Sequence, residues 1–363
     1  MSKKRGSWCW ALLWAGLVGL SLVGAGPAAA AESRPTLHLF NWADYMDPAV
    51  ITAFEKQYHV KVVRNFYNSN PEMFAKLQAG GDRQYDVVFP SNYYVPRMID
   101  AGLVQPLDHV RIPNLDNLKP KFRNPAYDPQ DRYSVPYQWG DTGLAYDTRK
   151  IKNAPQSWAI LFDATRNPNQ PFAMRDDAQM MLGAACAYQG AGYRCTGRKH
   201  WTKAAKLLLA TKQRDNFNGF AAGTPVLQQL ARGTVAVGVT WNGDFYHYRR
   251  KDPKAFEHIK FIVPEEGSEL WVDTMVIPKQ APHPKLAAQF INFVLRADIG
   301  AQISNRNDYA TPNAAAQPEL KVSLSGPPVT PTDAELQRLY FTPIIAGDDL
   351  AFVNQLWGQL LSR

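Results

Sequence analysis

The chain has 363 residues, of which 45% are hydrophobic and 20% are charged, and its formal net charge is +8. This length is enough for two domains with a core each. Beyond the N-terminus the basic residues form no long run, so the excess positive charge indicates a solvated surface of mixed charge and excludes a nucleic-acid-binding protein.

The first 31 residues have the order of a secretory signal peptide. A basic segment at residues 3–5 precedes an apolar stretch at 8–24, and a run of alanines at 28–31 follows it. An uncleaved membrane anchor is the alternative, because the apolar stretch is nearly long enough to span a bilayer. Its glycines and the alanine run favour cleavage. We therefore predict a mature, monomeric protein in the periplasm with a net charge of +5.

Strands and helices alternate in the first third of the mature chain. Residues 37–40, 60–63 and 85–89 have the apolar character of short strands. Helices are predicted to begin at Asp47-Pro48 and Asn70-Pro71, with Asp and Asn as N-caps and proline at the first helical position. This alternation predicts an α/β fold with a largely parallel sheet. In such sheets ligands lie beyond the carboxyl ends of the strands.

The same pattern returns later in the chain. It predicts helices at 225–232 and 285–295, a buried strand at 234–240, and another strand that ends near 271–275. Cys186 and Cys195 are the two cysteines left after removal of the signal peptide. In an exported protein they form either a structural disulfide or two free thiols, and the sequence leaves both open.

Aromatic residues and aspartates occur together at the ends of predicted strands. An ammonium ion suits such a set, because carboxylates accept charge-assisted hydrogen bonds from it and aromatic faces attract a cation. Each aromatic–acid pair alone also fits a structural role, since a tryptophan is commonly a core residue and Asp177 or Asp244 could cap a helix. Together they predict one cleft that holds an organic cation. The members are Trp42, Asp44 and Tyr45; Trp241 and Asp244; Trp271 and Asp273; and the pair Asp176-Asp177.

Motifs for catalysis or for metal binding are absent from the sequence. It contains no phosphate-binding glycine loop, no nucleophile-elbow serine and no pair of histidines at zinc-ligand spacing. We therefore expect no catalytic residue, no metal and no cofactor. An enzyme acting on an amine in the cleft is the alternative, and product formation from a polyamine would support it.

At these residues the chain resembles the bacterial periplasmic spermidine/putrescine-binding proteins of polyamine ABC transporters. The resemblance covers nearly all of the mature chain. Its motifs are FNWADY at 40–45, YDVVFPSNYYV at 85–95, VPYQWG at 135–140, WNG at 241–243, WVD at 271–273 and YATPN at 309–313.

The resemblance implies a type II periplasmic-binding fold, in which a ligand cleft lies between two lobes joined by crossing strands. The implied boundaries are 32–140 with 273–317 for lobe 1, and 141–272 with 318–363 for lobe 2. It also implies capture of a polyamine and delivery to an inner-membrane ABC permease. The implied ligand-binding residues are Trp42, Asp44, Tyr45, Ser91, Tyr93, Asp177, Trp241, Asp244, Trp271 and Asp273.

Two positions depart from the family pattern. Met180 stands where spermidine-binding members have an acid, and Asp244 matches an acid of the putrescine-preferring members. Putrescine is therefore the expected ligand, with spermidine or another organic cation as alternatives. A sensory or adaptor protein that reports amine occupancy to a receptor is an alternative to the transport role.

Overall fold

The structure is a computed structural model that describes residues 34–43, 45–221 and 223–362. The predicted signal peptide therefore lies outside the described residues. The described residues form ten strands: β1 Thr36–Trp42, β2 Lys61–Tyr67, β3 Val87–Val88, β4 Ser134–Asp147, β5 Phe172–Arg175, β6 Phe217–Ala221, β7 Val237–Trp241, β8 Ile259–Ile262, β9 Ser268–Val276 and β10 Leu339–Phe341.

The described residues also form twelve α-helices, and the predicted helices at 225–232 and 285–295 are confirmed within one or two residues. The helices are α1 Pro48–Tyr58, α2 Asn70–Gln78, α3 Val95–Asp100, α4 Ala159–Phe162, α5 Ala178–Tyr188, α6 Arg198–Lys212, α7 Gly223–Ala231, α8 Asn242–Lys251, α9 Pro284–Val294, α10 Ala297–Asn307, α11 Asp333–Leu336 and α12 Gly347–Ser362.

The strands form one mixed sheet in the order β2-β1-β3-β9-β4-β7-β5-β6, with β10 beside β9 and β8 beside β4. The groups β2-β1-β3 and β7-β5-β6 are parallel, as the sequence predicts. The prediction is wrong for the middle of the sheet, where β9 pairs antiparallel with β3 and β4. The reason is that β4 and β9 run between the two parallel groups in opposite directions. The first half of β4 pairs with β9 and its second half with β7 and β8.

The helix starts show how the sequence sets local structure. Asp47 caps α1 through a hydrogen bond from the Ala49 backbone N–H to its carboxylate, as predicted. The predicted cap of α2 is wrong: Ser69 is the N-cap, and Asn70 is the first helical residue. The side chain of Asn70 is instead buried and bonded to residues of β3's C-terminal loop, so it is not available as a cap.

Two large hydrophobic clusters pack on the sheet. One contains Leu39, Phe54 and Phe290 from elements near β1. The other contains Trp158 and Leu208 together with the middle of α5. Residues from Pro35 onward form one compact unit. The lobe boundaries given above stay a prediction.

A disulfide joins Cys186 and Cys195, which settles the alternative that the sequence left open. Its Cα atoms are 6.2 Å apart and the two residues are nine positions apart in the chain. Gly190 and Gly192 between them have φ angles of +79° and +76°, a backbone region that glycine adopts without strain, so the chain turns back here. The disulfide fixes the last turn of α5 to the residues just before the start of α6.

Candidate functional site

Strand β9 carries an alternation of acids and an aromatic residue on one of its faces. Glu269, Trp271 and Asp273 are spaced by two residues, so their side chains point to the same side of the sheet. All three are buried, with exposed fractions of 5%, 6% and 7%. The sequence prediction included Trp271 and Asp273 but missed Glu269, although the same spacing of two could have found it.

Asp273 lies at the centre of a hydrogen-bonded group. The Ser91 hydroxyl donates to its Oδ1 at 2.6 Å. The Ser91 backbone N–H donates to the Asn70 side-chain oxygen, and the Asn70 amide donates back to the Ser91 hydroxyl at 3.1 Å. The same amide donates to the Tyr93 hydroxyl at 3.2 Å. Asn70, a residue that the sequence prediction did not place in the site, therefore fixes both Ser91 and Tyr93.

Tyr93 connects this group to Asp177. Its hydroxyl donates to Asp177 Oδ2 at 3.2 Å, while Asp177 Oδ1 accepts the Met180 backbone N–H at 3.0 Å. Asp177 is therefore both the N-cap of α5 and a member of the site. Met180, which occupies the position of an expected acid, lies in the first turn of α5, is buried in the hydrophobic cluster there and supplies no charge.

The carboxyl group of Asp273 has an unusual environment. Burial raises its pKa to about 7, although the hydrogen bond from Ser91 opposes the shift. The nearby Tyr45 hydroxyl also lowers the pKa of Asp273. This hydroxyl is buried and has no partner of good hydrogen-bond geometry among the described residues. Asp273 forms no ion pair with a described lysine or arginine. A buried acid of this kind is costly when ionised and favours a cationic ligand.

Aromatic rings line the neighbourhood of Asp273. Tyr45 and Trp271 both pack edge-on against Tyr309, with ring centroids 5.6 and 5.2 Å away. Trp42 lies at the end of β1, packs on Tyr67 at 4.6 Å and donates its indole N–H to the Phe89 carbonyl. Strand β1 ends at Trp42, and Asp44 lies outside the described residues.

Asp244 is held by two hydroxyl groups. The Tyr309 hydroxyl donates to its Oδ1 at 2.5 Å and the Thr224 hydroxyl donates to its Oδ2 at 2.8 Å. Helix α8 begins at Asn242 with Trp241 at the N-cap position, so Asp244 lies in the first turn and is not an N-cap. Through Tyr309 it is linked to Trp271 and to the Asp273 region.

Trp241, at the carboxyl end of β7, packs partly buried against the cluster that contains Tyr45, Trp271 and Tyr309. Arg175, which ends β5, covers its ring: the guanidinium carbon is 3.7 Å from the ring centroid. Strands β5 and β7 are parallel neighbours, so their carboxyl ends meet at one edge of the sheet. The sequence prediction missed Arg175.

Glu269 adds a further buried acid near Asp177 and Arg175. Hydroxyl groups of Thr142 and Thr342 donate to its two oxygens at 2.6 and 2.8 Å. Burial, reinforced by the charge of Asp177, raises the pKa of Glu269. The site therefore combines acids and aromatic faces, which suit a cation with an apolar chain. Within the described ranges no cluster of three His, Cys, Asp or Glu side chains could hold a metal ion.

The family model for "Bacterial extracellular solute-binding protein" matches residues 49–330. The chain belongs to this family of bacterial extracellular solute-binding proteins. The spermidine/putrescine-binding periplasmic protein of Escherichia coli is 32% identical over 329 residues, which cover 90% of this chain and 91% of the relative. A putrescine/cadaverine-binding protein of Pseudomonas aeruginosa is 32% identical over 358 residues, or 96% and 98% of the two chains.

Solved structures agree with this assignment. The spermidine/putrescine ABC transporter substrate-binding protein of Streptococcus pneumoniae superposes with a TM-score of 0.76 at 27% identity, over 90% of this solute-binding protein and 99% of that chain. The expected type II periplasmic-binding fold is thereby confirmed. Solute-binding proteins are a transport family and not a class of enzymes. No helix in the described part of the chain is both long and apolar enough to cross a bilayer.

Proposed function

We propose that this solute-binding protein captures a polyamine, putrescine in preference to spermidine, and delivers it to an ABC permease. The observation that carries the proposal is Asp273, a buried carboxylate among aromatic rings that has no described cation paired with it. An alkyl ammonium supplies the missing charge, and its methylenes fit the faces of Trp42, Trp241 and Trp271. The E. coli relative is a spermidine/putrescine-binding protein and the P. aeruginosa relative is a putrescine/cadaverine-binding protein, which supports this ligand class.

The proposed ligand-binding set is the one that the sequence predicts, with Asn70 and Glu269 added. Contacts join eight of the ten residues that the sequence predicts into one group: Tyr45, Ser91, Tyr93, Asp177, Trp241, Asp244, Trp271 and Asp273. Trp42 packs against the hydrophobic cluster that contains Tyr45 and Trp271. Asp44, outside the described residues, stays a prediction.

The proposed lobes meet at this group. With boundaries of 32–140 and 273–317 for lobe 1, and 141–272 and 318–363 for lobe 2, the hydrogen bonds Tyr93–Asp177 and Tyr309–Asp244 cross from lobe to lobe. Such contacts stabilise a closed form, and a ligand that also bridges the lobes would shift the population towards it. We propose that a monomer, exported to the periplasm after removal of residues 1–31, presents this closed form to the permease and catalyses no reaction.

A thermal-shift panel on residues 32–363 tests the proposal. We expect putrescine at about 100 times its dissociation constant to raise the unfolding midpoint by about 5 °C, because a ligand that binds only the folded state stabilises it by about 2.7 kcal/mol at that concentration. Cadaverine, spermidine and agmatine complete the panel, and sodium chloride at matched ionic strength is the control. A panel in which no amine raises the midpoint above the salt control would contradict the proposed function.

A further inference from the structure

Arg175 places a positive charge inside the proposed polyamine site. Its guanidinium covers Trp241, the aromatic face that a ligand ammonium would use. Its charge acts on both Asp273 and Glu269, which places it within the same electrostatic environment as those acids. A cation of this chain therefore stands where the proposed ligand cation would stand.

The guanidinium is not fixed by hydrogen bonds of the usual kind. Arg175 Nη1 is buried and has no hydrogen-bond partner among the described residues. Although Asp177, Glu269 and Asp273 lie in the same site, Arg175 forms an ion pair with none of these described acids. A buried unpaired donor is costly, so the stacked position of Arg175 is one that a better cation can displace.

Arg214 is a second arginine that packs on an aromatic ring, and its hydrogen bonds show that it has a structural role. Its guanidinium carbon is 4.6 Å from the Phe172 ring centroid, but its Nη1 donates to the Leu161 carbonyl at 2.8 Å and its Nη2 to the Asn167 carbonyl. Both of these nitrogens are satisfied by backbone. Arg175 lacks such an anchor, which favours a role that involves the ligand.

We propose that Arg175 is a resident cation on Trp241 that a ligand ammonium must displace, and that it selects short diamines over longer polyamines. This inference rests on the proposed function. The acids at this end are engaged, since Asp177 caps α5 and Glu269 accepts two hydroxyl hydrogen bonds. An ammonium that reaches Trp241 therefore meets a like charge. Because spermidine carries one more ammonium over a longer chain than putrescine, it bears the larger penalty.

Titration calorimetry with putrescine and spermidine on Arg175→Met tests this, since methionine keeps an apolar stem on Trp241 and removes the charge. We expect spermidine to bind about tenfold more tightly and putrescine less than threefold more tightly, because the variant frees the Trp241 ring for a ligand ammonium; tenfold corresponds to about 1.4 kcal/mol. Arg175→Lys keeps the charge and should keep the wild-type ratio of the two affinities. Arg64→Met, which removes an arginine from the exposed ring of Phe66, should change neither affinity.

Other outcomes of this titration separate the inference about Arg175 from the proposed function. Unchanged or weaker spermidine binding to Arg175→Met would contradict it while leaving the proposed function intact. Binding of 4-aminobutanoate to the wild type that Arg175→Met abolishes would also contradict it, because Arg175 would then read a carboxylate. If amines bind Arg175→Met but not the wild type, the proposed function is wrong, whereas the inference that Arg175 blocks the Trp241 ring holds. If neither protein binds any amine, both proposals are wrong.

Discussion

The two ends of the proposed site hold their charges in opposite ways. At the Asp273 end, formed by Tyr45, Ser91 and Asp273, a carboxylate is buried with a single strong hydrogen bond and forms no ion pair with a described cation. At the Arg175 end, formed by Arg175, Trp241 and Glu269, the acid is held by two hydroxyl groups and a cation already covers the aromatic ring. The first end is therefore short of positive charge, whereas the second already contains it. This difference predicts that affinity comes from the Asp273 end and selectivity from the Arg175 end.

Removing the charge of Asp273 should have the largest effect. We expect Asp273→Asn to weaken putrescine binding about 100-fold, because losing one partner of a buried charge pair costs about 2–5 kcal/mol. Titration calorimetry measures this, with Asp100→Asn on the exposed end of α3 as the matched control. Since asparagine still accepts from Ser91, the variant should fold and should melt at or above the wild-type temperature at pH 8. Wild-type affinity in Asp273→Asn would show that the affinity for putrescine does not come from the Asp273 end.

Acidification should weaken binding by about tenfold between pH 8 and pH 6. The pKa of Asp273 is about 7, so its carboxylate is largely ionised at pH 8 and largely protonated at pH 6. Calorimetry in buffers of different ionisation enthalpy should also show a proton released when putrescine binds at pH 6. Because this pKa is raised on folding, the free protein should lose stability as the pH rises through 7, opposite to the trend in affinity. An equal pH dependence in Asp273→Asn would assign the effect to another group.

Loss of the Tyr93 hydroxyl should weaken binding about fivefold. Tyr93→Phe removes the hydrogen bond to Asp177 between the proposed lobes, and one such bond contributes about 1 kcal/mol. Small-angle scattering should show a less complete compaction on addition of putrescine. Tyr58→Phe, whose ring packs on Phe54, is the control and should behave as wild type. Equal compaction in both variants would show that this contact does not hold the closed form.

Removal of the disulfide should have no effect on affinity. The double variant Cys186→Ser, Cys195→Ser should lose about 2–3 kcal/mol of unfolding free energy, because the bond closes a loop of about ten residues. Urea unfolding measures that loss and calorimetry with putrescine checks the affinity. A change in affinity above threefold would place the end of α5 in the ligand site and would weaken the contrast between the two ends.

Local patterns in the sequence predict much of the Asp273 end. The spacing of two in β9 predicts that Trp271 and Asp273 share a face, and Asp47-Pro48 predicts the start of α1; the structure agrees on both. Glu269 has the same spacing but lies two residues before the aromatic–acid pair, so a search for such pairs passed over it.

Other features of the site and of the sheet depend on long-range contacts, which local sequence patterns do not predict. Asn70 has the local signature of a helix cap, yet its hydrogen bonds to Ser91 and Tyr93 depend on packing across more than twenty residues. Arg175 reaches Trp241 only because β5 and β7 are neighbours in the sheet, and the local sequence of either strand does not predict the strand order. The antiparallel centre of the sheet has the same origin, since it depends on how β4 and β9 cross.

A crystal structure of residues 32–363 with putrescine tests the central claim most directly. We expect one ammonium within hydrogen-bond distance of Asp273, methylenes against the tryptophan faces, and the Arg175 guanidinium displaced from the Trp241 ring. Putrescine bound elsewhere, with Asp273 making no contact to it, would contradict the proposed site.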